Sequence, residues 1–523
     1  MVDLQFVNVS DWHAQLDPLV VGTTQIGGAA VLSTYFKQER QANPNTITLT
    51  AGDAYGASPP LSGFFNEVPA IRAMNLMGFN VDTFGNHNFD GGTAKLQQKV
   101  DLAEFPYVSA NLTNRDANLT GVQDFVIIEV GGVKVGIVGI TNPEAPTLVF
   151  PGNFGTIVPS DPVPAANKAR AAAQRAGAKV VVAITHMGIS GVDPATGLAF
   201  GPLIDFADTV GGFDVIFGDH TDFEYSGTHG KALVIENRSK GRTYARTKLA
   251  VDARNGRVAA KSVEFVTPLS AAVTPDPAVV AMVDSYRVQL APILGIVVGS
   301  SSVAVPRTDS CGRADGRLCE SLVGDVTTDA MRIRYGTDFA FTNSGGLRAA
   351  LTCPAGGGGG GFCPVSTPPP FVITRGQVLS VLPFGNIAVT LTINGAEVKQ
   401  MLENGVSAMP GANGKFAQVS GLCFSYNVAA AVGSRVTAVV RQAANGSCSG
   451  PAVDLTAASS YTVAINDFMA TGGDGYPVVF GRSVTRELLH QVLADYVAAN
   501  PGLAPTIQGR IACSGIGCPA TLP

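Results

Sequence analysis

The stretch Phe79-Asn80-Val81-Asp82-Thr83-Phe84-Gly85-Asn86-His87-Asn88-Phe89-Asp90 joins a short apolar run to a cluster of polar side chains. The apolar run predicts a strand over residues 80–84, so the polar cluster falls at a strand end, where α/β enzymes place their chemistry. Asn86 offers an amide oxygen and His87 an imidazole, and the carboxylate of Asp90 is suited to orienting that imidazole. The stretch therefore predicts an active site at one edge of an α/β sheet.

Four further strand ends carry the same kinds of side chain. Predicted strands at residues 4–9, 46–50, 179–184 and 214–217 are followed by Asp11-Trp12-His13, Gly52-Asp53, Thr185-His186 and Asp219-His220-Thr221-Asp222. Taken singly, such a residue is more often a structural histidine or a turn or helix cap. Five coincident sites, with His229 and His490 outside the pattern, instead favour a metal centre, because borderline divalent metals take mixed imidazole and carboxylate ligands.

The number of candidate ligands exceeds what one ion needs. A single zinc takes about three or four ligands, whereas these strand ends supply more. A carboxylate such as Asp53 can bridge two ions about 3.5–4 Å apart, which lowers the pKa of a bridging water and holds a phosphate for in-line attack. The sequence therefore predicts a two-metal site for phosphoester hydrolysis, in which His87, steered by Asp90, is the general acid toward the leaving oxygen.

Length and charge bound the remaining possibilities. At 523 residues the chain is too long for one ordinary core, so two or more domains are expected. The net charge of −5 gives no electrostatic reason to bind a nucleic acid polymer or an anionic membrane. No apolar run approaches the roughly 18 residues of a membrane span.

The chain divides into three parts by pattern. Apolar strands alternate with helices up to about residue 265, which predicts an α/β domain; further strands are expected at 125–130, 133–140 and 232–235, and helices at 28–41, 67–77 and 164–176. Residues 268–295 predict a helical connector that begins at Asp276-Pro277 and ends near Pro292. Strands and helices mix again from residue 296.

All eight cysteines follow residue 310, in neighbouring pairs. The spacing favours disulfides 311–319, 353–363, 423–448 and 513–518, with other pairings left open. A zinc site is the weaker alternative, since no CxxC pair occurs. Disulfides predict an exported protein, extracellular, periplasmic or at the cell surface, with any leader peptide already removed before the first strand.

Together these motifs resemble the calcineurin-like metallophosphoesterase superfamily, and within it the 5′-nucleotidase family of bacterial UDP-sugar hydrolases and animal ecto-5′-nucleotidases. The similarity runs over about residues 2–510. The second-half motifs are Arg317-Leu318-Cys319-Glu320-Ser321, Asn343-Ser344-Gly345-Gly346-Leu347-Arg348, Leu382-Pro383-Phe384-Gly385-Asn386 and Asn466-Asp467-Phe468-Met469-Ala470-Thr471-Gly472-Gly473-Asp474.

The resemblance implies an α/β chain of three parts. Residues 1–267 would form a four-layer α/β/β/α dimetal metallophosphoesterase domain, 268–295 a helical connector, and 296–523 an α+β substrate-binding domain. It implies two divalent ions, zinc first, with manganese, cobalt or magnesium as alternatives. The oligomeric state is left open.

The resemblance also implies residue roles. One ion would bind Asp11, His13 and Asp53, and the other would share Asp53 and add three ligands: Asn86, His186 and His220. Relatives often have Gln or Asn where this chain has Asp222, so Asp222 either completes the first metal site with an added charge or points away. Relatives usually have Glu where this chain has Asn88.

The implied substrate residues lie in the second half. Phe384 and Phe468 would sandwich a base, and aromatic faces stack on any base. Asn386 and Asp474 would contact base or ribose. Phosphate or nearby polar groups would be held by Arg317, Asn343 and Arg348, with Arg313 as a further phosphate contact.

The predicted function is that of an exported 5′-nucleotidase, a phosphoric monoester hydrolase that converts nucleoside 5′-monophosphates to nucleoside and phosphate by in-line attack of metal-bound hydroxide. The alternative on the same site is a 2′,3′-cyclic-nucleotide phosphodiesterase or a hydrolase of nucleotide sugars or nucleoside di- or triphosphates. A non-nucleotide substrate, as in related sulfur-oxidation hydrolases, is disfavoured by the base-clamp residues. A binding or adhesion protein with a degenerate site is disfavoured by the complete ligand set.

Overall fold

The structure is a computed structural model that describes residues 1–21, 24–193, 196–358, 360 and 362–520. It consists of two compact units, Met1–Gln289 and Leu290–Pro523. Among the helices of these described ranges, none combines the length and the hydropathy that a bilayer crossing requires.

The first unit alternates strands and helices. Its strands are β1 (Val2–Val9), β2 (Leu19–Val21), β3 (Thr24–Ile26), β4 (Thr46–Thr50), β5 (Leu112–Thr113), β6 (Phe125–Val130), β7 (Val133–Ile140), β8 (Val158–Pro159), β9 (Val180–Thr185), β10 (Gly191–Val192), β11 (Ala199–Phe200), β12 (Val215–Phe217), β13 (Tyr225–His229), β14 (Ala232–Glu236), β15 (Tyr244–Asp252) and β16 (Arg257–Val266). Its helices are α1 (Ala29–Ala42), α2 (Pro60–Gly63), α3 (Val68–Met77), α4 (Gly92–Leu102), α5 (Pro162–Arg175) and α6 (Pro202–Thr209), and α7 (Pro277–Leu294) follows them.

Two sheets form the centre of this unit. One has the strand order β16-β15-β1-β4, and the other has the order β13-β14-β12-β9-β7-β6. Their facing sides share one core, to which both sheets contribute, for example through Leu4, Phe6, Ile137 and Val182. Apart from Val2, the apolar side chains on β1, β7 and β9 are buried because both faces of each sheet are covered.

Helices cover the outer sides of both sheets. Helices α5 and α6 pack on the six-stranded sheet through a second core that includes Ala169 and Phe206. Phe36 of α1 lies edge-on against Tyr244 of β15, with ring centroids 5.6 Å apart. The order helix, sheet, sheet, helix confirms the mixed α/β fold that the alternation of strands and helices predicts.

One predicted strand of the first unit is wrong. Residues 80–84 form no strand; they make only the isolated bridges Leu49–Val81 and Asp82–Tyr107. The Asp82 carboxylate there accepts from the backbone N–H of Gly52, which ties the segment through a side chain. Helix α7 begins at Pro277 and ends at Leu294, close to the predicted end near Pro292, because a proline in the last turn removes one backbone hydrogen bond without ending the helix at once.

The second unit is built on one mixed sheet. Its strands are β17 (Val297–Ser301), β18 (Phe339–Asn343), β19 (Phe371–Thr374), β20 (Ile387–Ile393), β21 (Ala417–Ser420), β22 (Leu422–Asn427), β23 (Val436–Arg441), β24 (Tyr461–Asn466), β25 (Val484–Leu488) and β26 (Ile511–Ser514), and its helices are α8 (Leu322–Tyr335), α9 (Arg375–Val381), α10 (Gly395–Gly405), α11 (Asp467–Ala470) and α12 (Leu489–Ala499). The main sheet has the order β21-β18-β24-β20-β25, with apolar cores on both faces. The four predicted disulfides are confirmed, and they leave no free cysteine among the described residues.

Candidate metal centre and catalytic pair

The ends of β1 and β4 bring three predicted ligands together. One ligand atom from each of Asp11, His13 and Asp53 lies within 4.8 Å of the other two. Nε2 of His13 is 3.7 Å from Oδ1 of Asp11. All three side chains are buried, so the group is a closed pocket of ligand atoms, suited to one divalent ion.

Asp53 also belongs to a second group, with His186 and His220 from the ends of β9 and β12. Oδ2 of Asp53 is 3.0 Å from Nε2 of His186, and this nitrogen is 3.2 Å from Nδ1 of His220. Two groups that share one carboxylate are what a bridged pair of ions requires.

Backbone carbonyls orient two of the imidazoles. Nδ1 of His13 is 2.7 Å from the carbonyl oxygen of Gly56, and Nδ1 of His186 is 3.1 Å from that of Ala51. A ring that donates from Nδ1 presents Nε2 as its ligand atom. In both histidines Nε2 is the nitrogen that faces the carboxylates.

Asn86 provides a test of whether these residues fit a metal. Its side chain is buried, and its Oδ1 has no hydrogen-bond partner among the described residues. A buried acceptor without a partner costs about 1–3 kcal/mol, and a bound cation would remove that cost. The set of carboxylate, imidazole and amide oxygen atoms therefore fits divalent metals.

The neighbouring Gly85 leaves room for the cluster. A Cβ at Gly85 would lie 2.2 Å from Oδ1 of Asp53 and 2.6 Å from Nε2 of His186. Only a glycine allows the Asn86 loop to approach the shared carboxylate this closely.

Several ligand positions have strained backbone. Asp11, His13, Asp53 and His220 have φ angles of 37°, 49°, 46° and 92°. Such left-handed conformations are uncommon for residues other than glycine and cluster at functional sites. The turns after these strands therefore aim the ligands at a cost in backbone energy.

Burial and neighbouring charges act in opposite directions on the pKa values of the side chains in these groups. Burial raises the pKa of Asp11, and the nearby Asp53 raises it further against the effect of His186. Burial also disfavours the charged forms of Asp53 and His186, yet their attraction outweighs it. The pKa of Asp53 is lowered, and that of His186 is raised to about 9. The cluster therefore favours a positive charge beside its carboxylates.

His87 and Asp90, predicted to act as a catalytic pair, are in contact. His87 begins a single 3-10 turn, His87–Phe89, and its Nδ1 is 3.0 Å from Oδ2 of Asp90. The same oxygen of Asp90 accepts from the backbone N–H of Ala57 at 3.2 Å. Oδ1 of Asp53 accepts from the backbone N–H of His87 at 2.9 Å, so the shared carboxylate also fixes this histidine.

Among the predicted carboxylate and imidazole ligands, Asp222 is the one that lies outside these groups. Its Oδ1 accepts from both the backbone N–H and the hydroxyl of Ser239, at 2.8 and 2.9 Å. Its Oδ2 is 3.5 Å from Arg242. The sequence left open whether Asp222 completes the first metal site or points away from it. In the structure, both of its carboxylate oxygens contact other residues, Ser239 and Arg242.

Sequence reasoning missed the roles of Asp219 and Asn88. Asp219 is fully buried and forms a third group with Asp11 and His186. Oδ1 of Asn88 accepts from the backbone N–H groups of Gly85 and Asp53, at 2.7 and 3.2 Å. Asn88 thus joins the Asn86 loop to the Asp53 turn; the signals for it in the sequence were its position two residues after a candidate ligand and the Glu that relatives usually have there.

In the second unit, hydrogen bonds link several predicted substrate residues. Nδ2 of Asn343 donates to Oδ2 of Asp474 at 2.7 Å. Nδ2 of Asn386 donates at 2.8 Å to Asp467, which precedes Phe468. The guanidinium carbon of Arg348 lies 5.8 Å from the centre of the Phe384 ring. The loops that carry Phe384 and Phe468 are therefore tied together.

Arg313 and Arg317 lie on one loop, stapled by the disulfide between Cys311 and Cys319. Arg313 makes a two-pronged contact with Asp315, with Nε–Oδ1 and Nη2–Oδ2 distances of 2.9 Å each. Burial raises the pKa of Asp315, but Arg317 and Arg313, with Arg307, lower it to about 2. The loop therefore gathers positive charge around one carboxylate.

Known proteins resemble both the second unit by itself and the chain over nearly its whole length. Residues 297–480 match the family model "5'-nucleotidase, C-terminal domain". The chain is 26% identical to a snake venom 5′-nucleotidase of Naja atra, over 98% of this chain and 99% of that protein. A 5′-nucleotidase precursor structure from Thermus thermophilus has a TM-score of 0.84 and 26% identity, covering 98% of this chain and 99% of that one.

Several bacterial relatives are longer than this chain. The trifunctional nucleotide phosphoesterase protein YfkN of Bacillus subtilis (strain 168) is 27% identical over 97% of this chain, which spans 35% of that protein. The chain spans 41% and 64% of two other bacterial relatives.

Proposed function

Because the chain belongs to the 5′-nucleotidase family of metallophosphoesterases, we propose that it is a metal-dependent hydrolase of nucleoside 5′-monophosphates. The products are a nucleoside and inorganic phosphate. The observation that carries the proposal is the shared carboxylate of Asp53. One of its oxygens faces His186 in a metal group, and the other accepts from the backbone of His87.

The proposed metals are two divalent ions, with zinc first. Asp11, His13 and Asp53 would hold one, and Asp53 with Asn86, His186 and His220 would hold the other. When bound, such a pair lowers the pKa of a water and neutralises phosphate charge for in-line attack. Asp219 borders both groups through Asp11 and His186.

The protein's own groups then handle the proton and the substrate. Asp90 accepts from Nδ1 of His87, so His87 donates its Nε2 proton to the departing ribose oxygen. In the second unit, we assign base stacking to Phe384 and Phe468. Contacts to base or ribose are assigned to Asn386 and Asp474, and contacts to phosphate and nearby polar groups to Arg317, Asn343 and Arg348.

The four disulfides support an exported location, since they persist in oxidising compartments. We therefore place the protein outside the reducing cytosol, in the extracellular space, at the cell surface or in a periplasm.

A second candidate function keeps the site and changes the substrate. A relative 27% identical to this chain is a trifunctional nucleotide phosphoesterase. A cyclic 2′,3′-nucleotide or a nucleotide sugar would use the same metals and the same base contacts.

Chromatography of the products formed from a substrate panel tests the proposal, because hydrolysis of a cyclic nucleotide or of a nucleotide sugar yields a phosphomonoester and no inorganic phosphate. The panel is AMP, GMP, UMP, ADP, UDP-glucose and 2′,3′-cyclic AMP, each with Zn²⁺, Mn²⁺ or Co²⁺. We expect a 5′-monophosphate to have the highest kcat/KM. Preference for the cyclic nucleotide or the nucleotide sugar would favour the second candidate, and no hydrolysis of any of these substrates would refute both.

His87→Ala tests the acid role. We expect turnover of AMP to fall by about 10²- to 10⁴-fold, with the metal content measured by mass spectrometry unchanged. His229→Ala is the matched control, because His229 lies outside the metal groups and bonds to Asp208 and Tyr225. Loss of metal together with activity in His87→Ala would contradict the acid role.

A further inference from the structure

Glu236 is a fully buried side chain at the end of β14, on the same sheet as two of the proposed metal ligands. In the six-stranded sheet, β14 lies next to β12, and β12 lies next to β9. These three strands are parallel, so their carboxyl ends lie at one edge of the sheet. The loops that follow β9 and β12 carry His186 and His220. Glu236 therefore ends its strand beside both of these loops.

Each oxygen of the Glu236 side chain holds a different one of the two loops. In the loop after β9, the backbone N–H of Ile189 donates to Oε2 at 2.8 Å. In the loop after β12, Oε1 accepts from the backbone N–H and the hydroxyl of Thr221, at 3.2 and 2.7 Å. The same oxygen accepts from the backbone N–H of Phe223 at 3.4 Å. One buried side chain thus bridges the two loops that carry His186 and His220.

The two loops also pack directly on each other. The backbone N–H of Asp219 donates to the carbonyl oxygen of Met187 at 3.0 Å. A Cβ at Gly188 would lie 2.2 Å from Oγ1 of Thr221 and 2.6 Å from the carbonyl oxygen of Asp219, so the close approach of the loops depends on this glycine. The same Oγ1 donates to Glu236. Glu236 therefore holds the hydroxyl against which the other loop packs.

Resting on the proposed function and its metal ligands, we propose that Glu236 is a positioning residue of the metal centre, which sets the distance between His186 and His220 and so the affinity for the ion that they share. The two imidazoles approach to 3.2 Å between Nε2 of His186 and Nδ1 of His220. Metal sites tolerate only about 0.2 Å of error in ligand distances, so a shift of either loop weakens the site. Glu236 belongs to none of the metal-ligand groups found among the described residues, and it acts through the loops.

The test is calorimetric titration of Zn²⁺ into the full chain after its metals have been removed with EDTA. In Glu236→Gln the side chain keeps its shape, but an amide nitrogen replaces one of the two acceptors, so one loop loses its hydrogen bond. We expect the wild type to bind two ions, and Glu236→Gln to bind one of them about 10- to 100-fold more weakly and the other with unchanged affinity. The weakened ion should be the one whose binding is lost in His220→Ala.

Thr221→Val is the second variant, because it removes one donor to Glu236 and leaves the Glu236 side chain in place. Any direct electrostatic effect of Glu236 on the ion is therefore retained, and weaker binding of the same ion reports on loop position alone. If Glu236→Gln does not fold, Thr221→Val decides the question by itself.

Asp214→Asn is the matched control. Asp214 is also buried, and it precedes β12 at the opposite edge of the same sheet, where its Oδ2 accepts from the backbone N–H of Val181 at 3.0 Å. This variant also alters a buried acceptor of a backbone N–H group, and we expect it to bind both ions as the wild type does.

Unchanged affinities in either Glu236→Gln or Thr221→Val, or an equal loss in Asp214→Asn, would overturn the inference. A wild type that binds fewer than two ions would overturn it together with the proposed metal centre. Failure of the proposed function shows separately, as absence of AMP hydrolysis by a wild type that binds two ions, and the affinities then still decide the role of Glu236.

Discussion

Gly85→Ala is the sharpest test of the metal centre. The added methyl carbon would lie 2.2 Å from Oδ1 of Asp53 and 2.6 Å from Nε2 of His186. Both atoms belong to the group that Asp53 shares between the two predicted ions. No positive φ accompanies Gly85, so the effect of the methyl group is steric and not a backbone penalty.

The size of the effect follows from the distances. Ordinary contact with a Cβ begins at 3.4 Å, so Asp53 must retreat by 3.4 − 2.2, or 1.2 Å, and His186 by 3.4 − 2.6, or 0.8 Å. Metal–ligand distances tolerate only about 0.2 Å of error. Mutation of the groups that only support the metal ligands typically lowers metal affinity or activity by about 10- to 100-fold. We expect at least that loss here, together with about 1–3 kcal/mol of overpacking strain.

The assay is metal content by mass spectrometry after gel filtration, paired with thermal melting in Zn²⁺ and in EDTA. The wild type should hold two ions per chain and melt higher with Zn²⁺. Gly85→Ala should hold fewer ions and lose most of the difference between the two melts. Gly211→Ala is the matched control, because a Cβ at Gly211 meets nothing within 4 Å.

The result that would refute this reasoning is a folded Gly85→Ala protein with the metal content and the Zn²⁺-dependent melting shift of Gly211→Ala. In that case Asp53 and His186 would not be ligands of the kind proposed. If Gly85→Ala cannot be purified, Asn86→Ala removes the amide oxygen without adding volume, and it should lower the metal content in the same assay.

Three further predictions concern other residues. Asn88→Ala leaves two buried backbone N–H groups without their acceptor and should lower the free energy of unfolding by about 2 kcal/mol or more in urea denaturation. An unchanged denaturation midpoint would contradict the idea that Asn88 joins the Asn86 loop to the Asp53 turn. Asp90→Asn should lower kcat about 10- to 100-fold at constant KM and metal content, because His87 loses its orienting carboxylate; lost metal would point to a structural role instead. Asp315 has a pKa lowered from 3.8 to about 2, so its roughly 2 kcal/mol of stability is present above pH 4 and lost as pH falls toward 2. The stability difference between wild type and Asp315→Asn should shrink over that pH window in urea titrations, and a constant difference would contradict the linkage.

The sequence was most informative where one physical pattern acts alone. The strands at 46–50, 125–130 and 133–140 are confirmed to the residue. Residues 46–50 and most of 133–140 are buried, whereas 125–130 lies at the edge of its sheet and is mostly half-buried. The cysteine pairs are also confirmed, since close neighbours in sequence close the smallest loops. Residues 80–84 carry a similar apolar pattern, yet they form only two bridges, which depend on the distant partners Leu49 and Tyr107.

In the candidate site, too, some residues could be predicted from the local sequence and others could not. The structure brings Asp11, His13, Asp53, His186 and His220 together. The sequence predicted one sheet edge for them, and this is wrong, because β1 and β4 belong to one sheet whereas β9 and β12 belong to the other. The direction of Asp222 depends on Ser239, seventeen residues later, and nothing in the local pattern encodes that hydrogen bond. The role of Asn88 was equally hidden, because the hydrogen bond that its Oδ1 accepts from the backbone N–H of Asp53 exists only once the Asp53 turn is in place.

The placement of the disulfides has a practical consequence for spectroscopy. All eight cysteines are paired, and all lie beyond residue 310, so the first unit has no thiol. A single cysteine introduced at an open glycine such as Gly211 would be the only reactive sulfur in the folded chain. A fluorophore or spin label attached there would report on metal loading from one known position, without removal of any native cysteine.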